Sequence, residues 1–333
     1  MTQKLGFACK FIPMLAEHDI KQLNATSTTV AWLNRQKQNL AEQKLWDIAH
    51  HNCDAYGRVF EIMATWPEHL RMIRLGSEML PVYTEATWSY FWQLPHVKTA
   101  MAAKLKTLGD LARKHDIRVS FHPGQFCCVV SDRPDVVERS IEELEYHAAM
   151  VCMMGYGKTK LDCKINVHLS GRLGPDGFNE AWKKMSPELR MNLTLENDEY
   201  QSSLDDILPL GNQVGIVLDI HHHLIKEHTC IKASDDRIQR IKDSWCGQRP
   251  VFHYSVSSEH LLKGHCPDTL LDIDALLNSG YKKQKLRAHS DMMWNNSMND
   301  WAYTHLDWAD CMVESKAKNL ASQQLARYFG LHT

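Results

Sequence analysis

Short apolar runs alternate along this chain with longer stretches in which apolar positions recur at helical spacing. The runs KLGFACKF (4–11), RMIRLGS (71–77), RVSFHPG (118–124) and KINVHLSG (164–171) read as strands, as do NLTLENDE (192–199), VGIVLDIH (214–221) and VFHYSVS (251–257). An eighth falls either at KLRAHSD (285–291) or at DCMVESK (310–316), and the pattern leaves both open. Between the runs, Pro95 to His115, Pro134 to Met154 and Asp268 to Leu277 place apolar residues at i, i+3, i+4 and i+7, which predicts amphipathic helices. Strand–helix alternation implies parallel strands with helices outside. About eight such repeats without a linker predict an α/β chain folded as a single (β/α)8 TIM barrel over residues 1–333. A doubly wound open sheet would want a G-x-G-x-x-G turn after a strand, and none is present.

Composition narrows the class. Hydrophobic residues make up 44% and charged residues 23% of the chain, as in a soluble globular enzyme. No apolar run is long enough to span a bilayer, and MTQKLGFACK carries no signal-peptide core, so the expectation is a cytoplasmic protein without a membrane partner. Ten cysteines are scattered without a C-x-x-C pair, which suits reduced thiols in that compartment. A net charge of −2 gives no broad electrostatic signal for nucleic acid, although bound divalent cations would reverse the sign of an acidic site.

Chemistry enters at the strand ends, where barrel enzymes carry their active sites. In order these are His122, His168, Glu196 with Asp198, Asp219 with three successive histidines, His253, His289 with Asp291, and Glu314. A carboxylate that closes an apolar run, as Asp219 does in IVLDIHHH, is costly to bury without a partner. One strand-end histidine usually means a hydrogen bond; a series of metal-capable side chains converging on one barrel mouth means a metal site. Four carboxylates (Glu196, Asp219, Asp291, Glu314) with several histidines exceed the needs of one ion. Two or three ions sharing a bridging carboxylate would use them all, and such clusters serve phosphoryl transfer. Strict alternation from Asp219 would put His221 on the same face as the aspartate.

The motifs SFHPGQF, NVHLSG, LTLENDE, LDIHHH, AHSD and MVESKAKNLA resemble, in that order, those of the UV damage endonucleases, three-metal barrel nucleases akin to the endonuclease IV type. LGFACK and IRLGSEMLP also fit, so the resemblance covers most of the chain. It implies a metal-dependent endodeoxyribonuclease that nicks damaged duplex DNA on the 5′ side of a lesion, a UV photoproduct or an abasic site, and acts as a monomer. It implies up to three divalent ions, manganese first and zinc as the alternative. Glu196 would bridge two of them, one also held by His122 and His168, the other by Asp219, His253 and Glu314. A third would take His222 and His289, with Asp291 nearby. The family pattern thus selects His222, leaving His221 and His223 in supporting roles. Glu196 and His253 are the expected catalytic ligands, Gln125 and Phe126 the lesion-reading pair, and Lys10 and Arg172 candidates for the DNA backbone.

Three departures stand out. The family's lesion-reading tyrosine is Phe126 here, its lysine two residues before the seventh-strand histidine is Val251, and about twenty extra residues precede His289. That insertion, at about 258–286, reads as a helix followed by the basic residues Lys282, Lys283, Lys285 and Arg287, either a grip on DNA or a solvated loop. The alternative function is a divalent-metal sugar isomerase or epimerase on a related barrel, which would have no use for a third-metal pair.

Overall fold

Strands buried on both faces are apolar except where a polar side chain finds a partner: LGFA is apolar throughout, while INVH and DCMV admit Asn166, His168 and Asp310. The computed structural model describes residues 3–14, 19–124 and 126–331. Its strands are β1 (Leu5–Ala8), β2 (Met72–Leu75), β3 (Arg118–Phe121), β4 (Ile165–His168), β5 (Leu193–Glu196), β6 (Gly215–Val217), β7 (Val251–Tyr254) and β8 (Asp310–Val313). They form one eight-stranded sheet in the order β6-β5-β4-β3-β2-β1-β8-β7, with every pairing parallel. The last gap is closed by a parallel bridge between Asp219 and His253, where the His253 N–H donates to the Leu218 carbonyl at 2.9 Å. Helices cover the outside, and the chain is a (β/α)8 TIM barrel.

The eighth stave is the 310–316 alternative. Residues 285–291 contribute only an antiparallel bridge, Ser257 to His289, so that segment crosses the mouth instead of lining the barrel. Helices Pro95–Lys114 and Pro134–Met153 lie where the periodicity puts them, each opened by a proline whose missing N–H costs nothing at the first turn. The helix expected over 268–277 is shorter, Ile273–Asn278, because the Asp272 carboxylate caps it by accepting the Ala275 N–H at 2.9 Å. Among the described residues, no helix is long and apolar enough to cross a membrane.

The amino-terminal end of the barrel is tied by Asp310. Its carboxylate accepts the Lys4 N–H at 2.9 Å, Arg118 at 2.5 Å and Arg249 at 2.8 Å, joining the starts of β1, β3, β7 and β8. This buried ionic knot belongs to the stability face and leaves the opposite mouth free to carry chemistry. At that mouth Gly171, with φ +149°, lets the loop after β4 pass the Val130 carbonyl, which a Cβ would meet at 2.6 Å.

Candidate metal centre

β4 and β5 pair in register so that His168 stands opposite Glu196, which is 1% exposed. Three rings face one oxygen of this carboxylate: Oε2 lies 3.3 Å from His122 Nε2, 3.9 Å from His168 Nε2 and 3.1 Å from His253 Nδ1. The other oxygen, Oε1, is 3.7 Å from His222 Nδ1 and has no hydrogen-bond partner among the described residues. Asn166 orients the group, donating its amide to Oε2 while Thr194 donates its hydroxyl to Asn166 at 2.8 Å.

Asp219 follows the end of β6, where the backbone turns into helix Ile220–Glu227. Its Oδ1 caps that helix by accepting the His222 N–H at 2.7 Å. Asn197 clamps the same residue from both sides, accepting its N–H at 2.8 Å and donating to its carbonyl at 3.0 Å. Oδ2 is thereby left buried and unpartnered. Beside it, His253 Nδ1 lies 3.2 Å from Glu314 Oε1, and the Arg74 guanidinium pairs with the same carboxylate. Three sets of ligand atoms each converge within 4.8 Å: His122, His168 and Glu196; Asp219, His253 and Glu314; and Glu196, Asp219 and His222.

The consecutive histidines fan out because they sit on a helix, each about 100° from the last. His221 turns to two serines, with Ser255 Oγ at 2.9 Å from Nδ1 and Ser257 Oγ at 3.2 Å from Nε2. The Ser257 hydroxyl already donates to the Leu286 carbonyl, so it accepts from His221 Nε2–H. Strand alternation would have aimed His221 at the carboxylates; the chain has left the sheet by then, and His222 takes that position. His223 is buried near Arg237 and Asp235.

The remaining expected residues separate. His289 is half-buried, with its ring centroid 6.2 Å from that of His221, and it shares a cavity with His168, His222 and Glu314 without joining any of the three sets. The partner nearest His222 Nε2 is instead Glu199, at 3.8 Å. Asp291 stands apart with Glu259 and His260, bonded to His260 at 3.1 Å and to Lys316 at 3.1 Å. Phe126 is 89% exposed, Lys10 is exposed, and Arg172 is exposed and paired with Asp132 at 3.0 Å. Gln125 lies outside the described residues.

Electrostatics in the cluster are those of crowded, desolvated charge. Burial alone would raise Glu196 and Glu314; His168 and His253 around the first, and Arg74 beside the second, hold both well below the usual carboxylate range. Asp219 goes the other way, to about 7, driven by burial and by the neighbouring Glu196 and Glu314 against the pull of His222. His222 is raised to about 9 because the surrounding carboxylates outweigh its burial, and burial holds His122 down at about 4. The donor set fits divalent cations: Glu196 Oε1 and Asp219 Oδ2 are buried without a hydrogen bond, His253 Nδ1 is buried between two carboxylates, and all three have the nitrogen–oxygen chemistry that zinc and manganese take.

Several residues that shape this site escape a sequence reading. Lys164 is buried with Nζ 2.9 Å from His253 Nε2, and burial brings its ammonium down to about 7. A single lysine at the start of a strand carries no signal. Arg74 does carry one, as a charge inside the apolar strand MIRL, and Asn166 shares the face of His168 two residues on. Asn197 and Glu199 had no spacing to mark them.

Comparison with known proteins decides the family. The model of the family UV-endonuclease UvdE matches residues 3–332. The chain belongs to that family. Family members similar to it include a UV-damage endonuclease of Schizosaccharomyces pombe (strain 972 / ATCC 24843), 29% identical over 275 residues, and a UV DNA damage endonuclease of Bacillus mycoides (strain KBAB4), 26% identical over 314 residues. The matches cover 79% and 90% of this chain. The chain spans 41% of the S. pombe relative and 87% of the Bacillus one; it spans 50% of a 28% identical UV DNA damage endonuclease of Clostridium perfringens (strain 13 / Type A), matched over 66% of this chain. Among solved structures, SacUVDE superposes with a TM-score of 0.73 at 19% identity over 99% of this chain and 98% of its own. Endonuclease IV from Thermus thermophilus follows the same fold, with a TM-score of 0.52 at 12% identity, over 84% of this chain and 96% of its own.

Proposed function

We propose that this chain is a divalent-metal-dependent DNA repair endonuclease that cuts the phosphodiester backbone on the 5′ side of a damaged nucleotide. The observation that carries the reading is Glu196, a buried carboxylate held at the junction of two ligand sets with one oxygen left without a partner. His122, His168 and Glu196 would hold one ion, and Asp219, His253 and Glu314 a second, with manganese the first expectation and zinc the alternative. His222 extends the centre towards His289, where a third would sit. Bound there, such ions supply Lewis-acid stabilisation of the phosphoryl oxygens and an activated water.

The protein's own groups do the rest. Asn166 orients the Glu196 carboxylate and Asn197 holds the Asp219 backbone, which positions two of the ligands ahead of loading. Lys164 touches the far nitrogen of His253 and leaves Nδ1 turned towards Glu196 and Glu314. Phe126 lies four residues after His122, and its exposed ring suits a wedge against an unstacked base step, which senses damage through deformability. Relatives named UV DNA damage endonucleases support the substrate class.

The test is strand incision by the purified protein with added Mn²⁺ on matched labelled duplexes, one undamaged, one with a pyrimidine dimer and one with an abasic site. Incision 5′ to a lesion, abolished by chelator, is expected. A metal-loaded protein that cuts none of the three would refute the reading in favour of sugar-type chemistry.

A further inference from the structure

The insertion before His289 is a wall of the metal centre. A cavity of about 710 Å³ has His168, His222 and Glu314 on one side and Tyr200, Lys285 and Arg287 on the other. This wall is anchored: Leu286 is fully buried, Ser258 N–H donates to the Ala288 carbonyl at 2.9 Å, and Ser290 N–H donates to the Val256 carbonyl at 2.9 Å. Arg287 pairs with Glu199, which in turn lies 3.8 Å from His222 Nε2, so the insertion is linked to the ligands by alternating charges. Tyr200 presents an aromatic ring, 42% exposed, with the Arg287 guanidinium 5.3 Å and the Lys283 ammonium 6.0 Å from its centroid. Its loop is pinned by Lys226, whose Nζ donates to the carbonyls of Tyr200 at 3.1 Å and Gln201 at 3.3 Å.

We propose that Tyr200 together with Lys283 and Lys285 forms a nucleotide subsite, in which a base of the cut strand stacks on the tyrosine and the adjoining phosphate is held by the lysines. The inference rests on the nuclease reading and adds to it where the substrate strand runs. A ring flanked by cations, at the edge of a carboxylate floor, selects a ligand that is both flat and anionic. A neutral carbohydrate offers the lysines no charge to pair with. Stacking on an aromatic ring tolerates any base, so this subsite contributes grip and not sequence preference.

The test measures KM and kcat for incision of a lesion duplex at several salt concentrations, with bound metal checked in each protein. Tyr200→Ala is expected to raise KM about ten-fold while Tyr200→Phe stays near wild type, since the ring and not the hydroxyl does the stacking. Lys283→Ala with Lys285→Ala should flatten the dependence of log(1/KM) on log[salt] by about 0.9 for each phosphate no longer held. Active wild type with unchanged KM and salt slope in all the variants would overturn the subsite and leave the nuclease standing. A wild type that neither binds nor cuts any duplex would overturn both.

Discussion

Arg74 and Glu314 offer a direct reading of where cations sit. The Arg74 guanidinium pairs with the Glu314 carboxylate at side-chain exposures of 14% and 12%, and Glu314 also faces His253. Arg74→Met keeps the packing and removes the charge, leaving a largely buried carboxylate without its strongest partner. Breaking a buried pair in this way costs about 3–5 kcal/mol, and the residual exposure places the loss at the lower end, about 3 kcal/mol. Over 333 residues, at roughly 2.1 cal/mol/K each, the unfolding entropy is about 0.7 kcal/mol/K, so Tm should fall by about 4 °C in chelator. With saturating Mn²⁺ a bound ion supplies the missing positive charge to Glu314, and the difference from wild type should shrink to about 1 °C. Differential scanning calorimetry of both proteins in both conditions makes the comparison. An equal fall with and without metal would show that Glu314 faces no bound cation and that the pair is purely structural.

Glu196→Gln preserves shape but removes the charge shared by two ligand sets, so mass spectrometry should find at least one fewer ion per chain, with incision reduced by about 10³-fold or more; full metal content and full activity would sink the bridging assignment. Phe126→Ala removes a ring that is 89% exposed, so Tm and metal content should hold while incision of damaged duplex drops about ten-fold, and a parallel loss of stability would mark Phe126 as a packing residue. Acid stability should respond to His147, which is in none of the ligand sets and is bonded to the Glu143 carbonyl at 2.7 Å and to Ser77 at 2.9 Å. Burial holds its folded pKa at about 4, below the 6.5 of an ordinary histidine, so the unfolded chain binds the extra proton first and stability falls as pH drops from about 6.5 to about 4. The loss should be on the order of 3 kcal/mol in urea titrations, and His147→Gln should flatten that part of the profile; an unchanged slope would count against the assignment.

The linear order of residues was enough for the barrel and for much of its chemistry. Apolar strands bounded by His122, His168, Glu196, Asp219, His253 and Glu314 reveal the repeat and the polar series at its ends, because both are properties of local segments. The choice among the three histidines was not a local property. It depended on the backbone leaving strand geometry before Ile220, so that Asp219 became a helix cap and rotation about the new axis brought His222, not His221, to the carboxylates. The competition between two candidate eighth strands was likewise settled by pairing partners distant in sequence. Arg74, Lys164 and Glu199 reach the centre or its edge from positions that no spacing rule marks as ligands, and the helix and basic residues before His289 show their place only when folding lays Lys285 and Arg287 against the cavity. Sequence determined which side chains stand at the ends of strands, since side-chain period and strand polarity are short-range. Which of them share a charge, which are clamped away by serines, and what closes over them were decided only by tertiary structure, because Coulomb interactions and desolvation act through space and not along the chain.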